Sequence, residues 1–383
     1  MLFEIHMLKN YPATNLNRDD TGSPKTCIFG GVQRSRISSQ CLKRSWRVSS
    51  LLEKELSGNL LGIRTRKLPE LVCEKLRKEG ISEDYLEEAK KHLTGFANKE
   101  STENDKGITT QVIIYSHEDI EAVTKVVKEK IESSKSINDF KKIKAKDIEA
   151  LMKDAKTRPI SVDIALFGRM VTSDAFADVD ASMQVAHAFS TNKAIMESDF
   201  FIAMDDLIDG KEEAGAAMMD DVDYTSSCYY IYASIDIDAL RKNLEHSENP
   251  DVIVEKVLPA LVKTMAFANP SGKQNTFAGN VLPSAVLIEC KDYPVPVSYA
   301  NAFVKPVRAT YENDLVEESV KRLVAHVNQI DEDFGLPLVK RYWFCAGLEN
   351  KIKLPDKEGN KVVNCKNFAE MVSAVSEFVK TKK

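Results

Sequence analysis

The residues best suited to chemistry lie in one stretch, Asn15 to Arg47: NLNRDDTGSPKTCIFGGVQRSRISSQCLKRSWR. It carries Lys25, Arg34, Arg36, Lys43, Arg44 and Arg47, and after Asp20 no carboxylate occurs until Glu53. The chain as a whole is mildly acidic, with formal net charge −5, so a block of one sign runs against its background. Clustered cations suggest an anion-binding face, phosphate being the commonest anion. A solvated helix face is the plainer alternative. The order of residues favours the first. Gly30-Gly31 permits a tight backbone path, and Arg34 and Arg36 are spaced to share one face of a strand. Ser38 or Ser39 is placed to cap a helix on which Gln40 pairs in spacing with Arg44, and Lys43 with Arg47. Strand arginines, a capped helix start and first-turn donors would then converge on a phosphate.

Other chemistry is weaker. Asp19-Asp20 is a carboxylate pair of the kind that holds Mg²⁺ for phosphodiester cleavage, but neighbours on an extended chain point apart and no third ligand stands nearby in sequence. A capping or salt-bridging role around Arg18 is the better reading. GKQN resembles a phosphate loop, yet Phe267 stands where its first glycine is required. Lys273, Gln274 and Asn275 remain polar contacts for phosphate or ribose. His6 and His187 read as structural residues, His187 on an apolar strand face. The seven cysteines form no pair with ligand spacing, which points to free thiols in a reducing compartment. No long apolar run or signal-peptide core is present, so a cytoplasmic protein without a membrane anchor is expected. Nothing assembles an active site, and neither cofactor nor metal is expected.

The elements that must position these residues follow from periodicity. Phe3, Ile5 and Met7 alternate with polar residues as a half-buried strand, broken by Tyr11-Pro12. The helix after Ser38 continues through Trp46, Leu51 and Leu56. Residues 60–159 are dense in Lys and Glu and read as a mainly helical insertion, with helices over 71–79, 85–96, 116–132 and 136–156 and a short strand in QVIIY. Residues 181–190 form a second strand and CYYIYASIDI (228–237) a third. Tyr230 and Tyr232 on its one face suit either base stacking or core packing. The acidic, Met-bearing segment between them lacks clean periodicity and reads as a disordered or functional lobe. A helix over 251–268, a fourth strand over 281–290, and a helix over 313–328 follow. A short strand over 341–345 and a closing helix over 367–380 complete the chain. Without insertions, the order strand, helix, strand, strand, helix, strand is a split βαβ arrangement, an α+β fold used by RNA-recognition modules.

NLNRDD, FGG and RISSQCLKR, with ALFGRM, DVDASMQVAHAFST, ESDFFIAMDDL and SGKQNTFA further on, closely resemble the CasC family. CasC is the backbone subunit of Cascade, the type I-E CRISPR surveillance complex. The resemblance implies an RRM-like (ferredoxin-like) palm over 1–59, 160–192 and 228–383, a helical fingers insertion over 60–159, and a long thumb over 193–227. It implies a non-catalytic protein whose copies stack head to tail along a CRISPR RNA, beside other Cascade subunits, and present the guide to target DNA. Carried over position by position, Arg18 and Lys25 approach phosphates and Ser38 and Gln40 hydrogen-bond the RNA backbone. Lys43, Arg44 and Arg47 supply charge, with Arg169 of FGRM as a further contact. The alternatives are a Mg-dependent ribonuclease of the type III backbone kind using Asp19 or Asp20, a free-standing RNA-binding module, and a protein scaffold that needs no nucleic acid.

Overall fold

A computed structural model describes residues 1–56, 58, 60–96, 103–203, 218–348, 350–356 and 359–381. In chain order it runs β1 (Leu2–Thr14), β2 (Thr26–Phe29), β3 (Val32–Ile37), α1 (Ser39–Arg47), α2 (Ser50–Leu56) and β4 (Ile63–Thr65). Next come α3 (Leu68–Lys78), α4 (Glu83–Leu93), β5 (Ile113–Tyr115), α5 (His117–Ser133), α6 (Ile137–Phe140), α7 (Ala145–Glu149) and α8 (Val162–Phe167). The middle of the chain holds β6 (Met183–Val185), β7 (Ala188–Ser190), β8 (Glu197–Ala203), β9 (Met218–Asp236), α9 (Ile237–Asn243) and α10 (Pro250–Phe267). It ends with α11 (Gln274–Phe277), β10 (Ala285–Lys291), α12 (Leu315–Phe334), β11 (Lys340–Cys345), β12 (Val362–Asn364) and α13 (Phe368–Thr381).

The chain divides into two compact units. The first comprises Met1–Leu52, Val185–Ser234 and Leu258–Lys383. Its sheet runs β12-β11-β10-β1-β9-β7-β3-β2. β1 lies in the middle of this order and pairs antiparallel with β10, Leu2 opposite Lys291 and Leu8 opposite Ala285. A central strand is covered on both faces, and β1 is buried along nearly its whole length, Glu4, His6 and Lys9 included. This corrects the half-buried reading. Its alternating polar residues face interior partners, not water. Nor does Tyr11-Pro12 end the strand, which continues to Thr14.

Polar groups withdrawn from water must be satisfied inside. Lys291 Nζ stands 2.7 Å from Glu4 and 2.9 Å from Glu289. Arg341 donates to Glu289 at 2.6 Å and reaches Asp331 with its other nitrogens. Burial pushes Glu289 up, but Arg341 and Lys291 overcome it and hold the carboxyl at about 2. The His6 ring is driven by burial down to about 3, so it stays neutral despite Glu289 3.9 Å away. It pairs instead with the Tyr230 hydroxyl at 2.8 Å. Tyr230 and Tyr232 are both buried, with Tyr232 donating to Glu4 at 2.6 Å, so neither is a base-stacking platform.

The second unit comprises Glu53–Gln184 and Ile235–Val257. α3, α4 and α5 lie close to the helices expected over 71–79, 85–96 and 116–132, and the unit packs its own core around Leu76, Leu93, Phe96, Val123, Val127 and Phe140. The β4–β5 pair matches the strand read in QVIIY. α5 opens with a capping box in which Ser116 accepts from the Asp119 amide and Asp119 accepts from the Ser116 amide. The single helix expected over 136–156 is instead the short α6 and α7. In the acidic lobe, β8 and β9 pair as an antiparallel ribbon, Glu197 opposite Tyr224 and Ala203 opposite Met218. Residues 204–217 of that lobe lie outside the described residues. Among the described residues, no helix is long and apolar enough to cross a membrane.

Candidate nucleic-acid interface

The basic stretch builds a corner of the first unit. β2 and β3 form a hairpin with Phe29 opposite Val32, closed by Gly30-Gly31. Both glycines have positive φ, 59° and 74°, as a two-residue hairpin turn of the type I′ kind requires. A Cβ on Gly30 would lie 2.1 Å from the Val304 carbonyl oxygen, so the turn packs tightly against that segment. β3 then passes into α1. Ser38 has extended geometry and its hydroxyl accepts from the Cys41 amide, which settles the cap on Ser38. Its own amide donates to Asn17 Oδ1 at 2.8 Å and ties the NLNRDD loop to the helix start.

α1 buries Ser39, Leu42 and Trp46, a stripe at helical spacing. The opposite face presents Gln40 and Arg44 exposed, with Lys43 and Arg47 half-exposed. The first turn contains no acidic residue. The helix ends sooner than expected: Val48 and Ser49 separate α1 from α2. Lys25 lies between loop and strand, its amide donating to Asn17 O at 2.9 Å and its carbonyl accepting from the Arg36 amide at 2.7 Å. Partial desolvation, then the charges of Arg36, Lys25 and Lys43, hold the His187 ring below its ordinary pKa. Burial raises the Cys41 thiol while Arg44 and Lys25 pull it back. Lys25, Arg36 and Lys43 thus lie near His187, Lys25 and Arg44 lie near Cys41, and Lys25 links the two groups of cations. They form one positive ledge.

His187 belongs to that ledge, which corrects its placing on an apolar face. It lies in the gap between β6 and β7, is exposed, and meets Arg36 at 3.1 Å through Nδ1. Strand periodicity put it inside because the gap in the strand does not show in the sequence.

Arg34 does not join the ledge. It is fully buried and donates to the carbonyls of Ser190, Thr191, Phe303 and Val304 at 2.8–3.1 Å. Arg169 is likewise interior. In the second unit it donates to Ala177 O, Ile114 O and Asp119, a carboxylate it shares with Arg158. Both guanidiniums are withdrawn from a surface ligand, because they are buried and bond groups that burial would otherwise leave unpaired.

Beside the ledge, an open polar hollow of about 600 Å³ is lined by Asn17, Arg18, Asp19, Asp20, Arg44 and Gly272 among others. Arg18 is exposed at its rim. Asp19 accepts from the Thr21 amide and hydroxyl and the Ser23 amide, so its carboxylate closes the loop, and those bonds hold it below the usual carboxylate range. The SGKQN loop abuts this motif: a Cβ on Gly272 would lie 2.3 Å from the Leu16 carbonyl oxygen. Lys273 has φ +49° and is half-exposed, and Asn275 is exposed. Gln274 turns inward, its amide donating to Pro270 O at 2.8 Å and Gly279 O at 3.3 Å.

The chain matches the family described as CT1975-like protein over residues 3–373. No curated protein matches. Two solved chains have the same fold. One, titled "CRISPR RNA-guided surveillance complex, pre-nicking", has TM-score 0.80 at 23% identity, with 100% of each chain covered. The other, titled "CRISPR RNA-guided surveillance complex", has TM-score 0.60 at 21% identity, also with 100% of each chain covered. With a family match spanning nearly the whole sequence, this chain belongs to the CT1975-like protein family.

Proposed function

We propose that this chain is a non-catalytic, CRISPR RNA-binding backbone subunit of a type I-E surveillance complex. The observation that carries the reading is the ledge: Lys25, Arg36, Lys43 and Arg44 gathered at a capped helix start in a chain of net charge −5. Family membership, the fold shared with chains of surveillance complexes and the CasC-like N-terminal motifs support it. Cations on backbone elements grip phosphates without reading bases, which leaves sequence selection to pairing between guide and target DNA. The central strand order β10-β1-β9-β7 is that of a split βαβ sheet and favours an RRM-like palm. The β8–β9 ribbon, with Phe200, Ile202 and Met219 exposed, serves as the base of a thumb over the guide.

In this reading, copies add head to tail in an open, non-closing assembly. Mixing the purified chain with RNAs of increasing length and sizing the products tests it. The number of copies per RNA rises stepwise with length. A single copy at every length would point to a free-standing RNA-binding module, and no binding would point to a scaffold.

The ribonuclease reading draws only on Asp19 and Asp20. Asp19 already serves as a turn cap, and among the described residues no group of three or more His, Cys, Asp or Glu stands together as a metal site. Cleavage of labelled RNA with Mg²⁺, lost in Asp20→Ala, would overturn the non-catalytic assignment.

A further inference from the structure

His187 has a specific place in the ledge. An arginine guanidinium can only donate hydrogen bonds, so at 3.1 Å from Arg36 the Nδ1 of His187 must accept. The neutral ring then carries its hydrogen on Nε2, and that ring is exposed. We infer that His187 is a neutral hydrogen-bond donor of the RNA-binding ledge, its Nε2–H aimed at a backbone oxygen of the RNA and its tautomer set by Arg36. This rests on the RNA-binding reading above and adds to it a contact that carries no charge.

The surroundings favour neutrality. The charged groups that act on the ring are Arg36 from β3, Lys25 from the residue before β2, and Lys43 from α1, all positive. A proton on Nδ1 would break the bond to Arg36 and add a like charge among three others. The physical consequence is a division of labour: the cations set the salt dependence of binding, while the imidazole adds affinity without it.

Measuring RNA affinity across a salt series at pH 7.5 tests this, with full-length His187→Ala, His187→Gln and Lys43→Ala against the parent. His187→Ala should weaken binding about fivefold, the scale of one neutral hydrogen bond, with the salt slope unchanged. His187→Gln supplies an N–H near the position of Nε2 and should restore most of the loss. Unaltered affinity in His187→Ala, or a slope reduced by about one counterion, would overturn the neutral-donor assignment while leaving the ledge intact. If Lys43→Ala changes neither affinity nor slope, the ledge itself is wrong and the inference falls with it.

Discussion

Arg34 and Arg36 lie two residues apart on one strand, at the spacing that shares a face, yet they belong to different regions. Arg34 is covered by the Phe303–Val304 segment and binds carbonyls; Arg36 sits past that cover, donating to Thr26 O and meeting His187. The same contrast runs through the first unit. Interior cations such as Arg341 and Lys291 neutralise buried carboxylates, whereas Lys25, Lys43 and Arg44 come from a run between Asp20 and Glu53 that contains no carboxylate. A buried cation holds the fold together, and a ledge cation, in the proposed function, holds a ligand. Charge in a sequence therefore says little until the cover over each position is known.

Substitutions on the two sides should separate cleanly. Arg34→Ala gives the largest effect. It removes one donor from each of four carbonyls, three of them in buried bonds, and opens a cavity, costing about 3 kcal/mol or more in urea unfolding. RNA affinity of the folded fraction should be unchanged. A loss of affinity without a loss of stability would place Arg34 with the ledge after all.

Acid probes the interior next. His6 takes up a proton in the unfolded chain near its ordinary value of 6.5 but in the folded chain only near 3. Its contribution to stability is thus complete above 6.5 and is lost as pH falls through that window. Glu289, held at about 2 against an ordinary 4.5, adds a second loss at lower pH. The raised pKa of Glu4 acts above its ordinary 4.5, where protonation of the folded carboxyl offsets part of the His6 loss. Urea midpoints should begin to drop below about pH 6.5, and His6→Gln should flatten the first part of the fall. An unaltered profile in that variant would remove His6 from the account.

Ser38→Ala stands at the boundary between the regions. It removes the cap of α1 and should cost about 1 kcal/mol of stability. RNA binding should weaken modestly as the first turn loosens. Substituting Lys25, Lys43 and Arg44 together should change stability least, within about 0.5 kcal/mol, because none is a buried partner.

Much of the ledge was legible in sequence because its signals are local. The Gly30-Gly31 turn, the Ser38 cap and the spacing of Gln40, Lys43, Arg44 and Arg47 each depend on residues a few positions apart. The interior was not legible, because its partners are remote. Glu4 and His6 look like the wet face of a strand until β10 and β11 bring Glu289, Lys291 and Arg341 to their level. Arg34 is hidden by residues 303–304, and Arg169 by Asp119, neither pairing foreshadowed by any pattern. His187 was missed for the opposite reason. A run of alternating residues concealed a break in the strand that turns it outward.

The central claim is that the ledge grips RNA phosphates, and its most direct measurement is the salt dependence of RNA affinity. For single-stranded RNA, each phosphate that a variant ceases to neutralise reduces the slope of log affinity against log salt by about 0.7. The Lys25→Ala/Lys43→Ala/Arg44→Ala variant should therefore show a slope smaller by about two units and bind more weakly at low salt, with its fold intact. An unchanged slope and affinity would contradict the account.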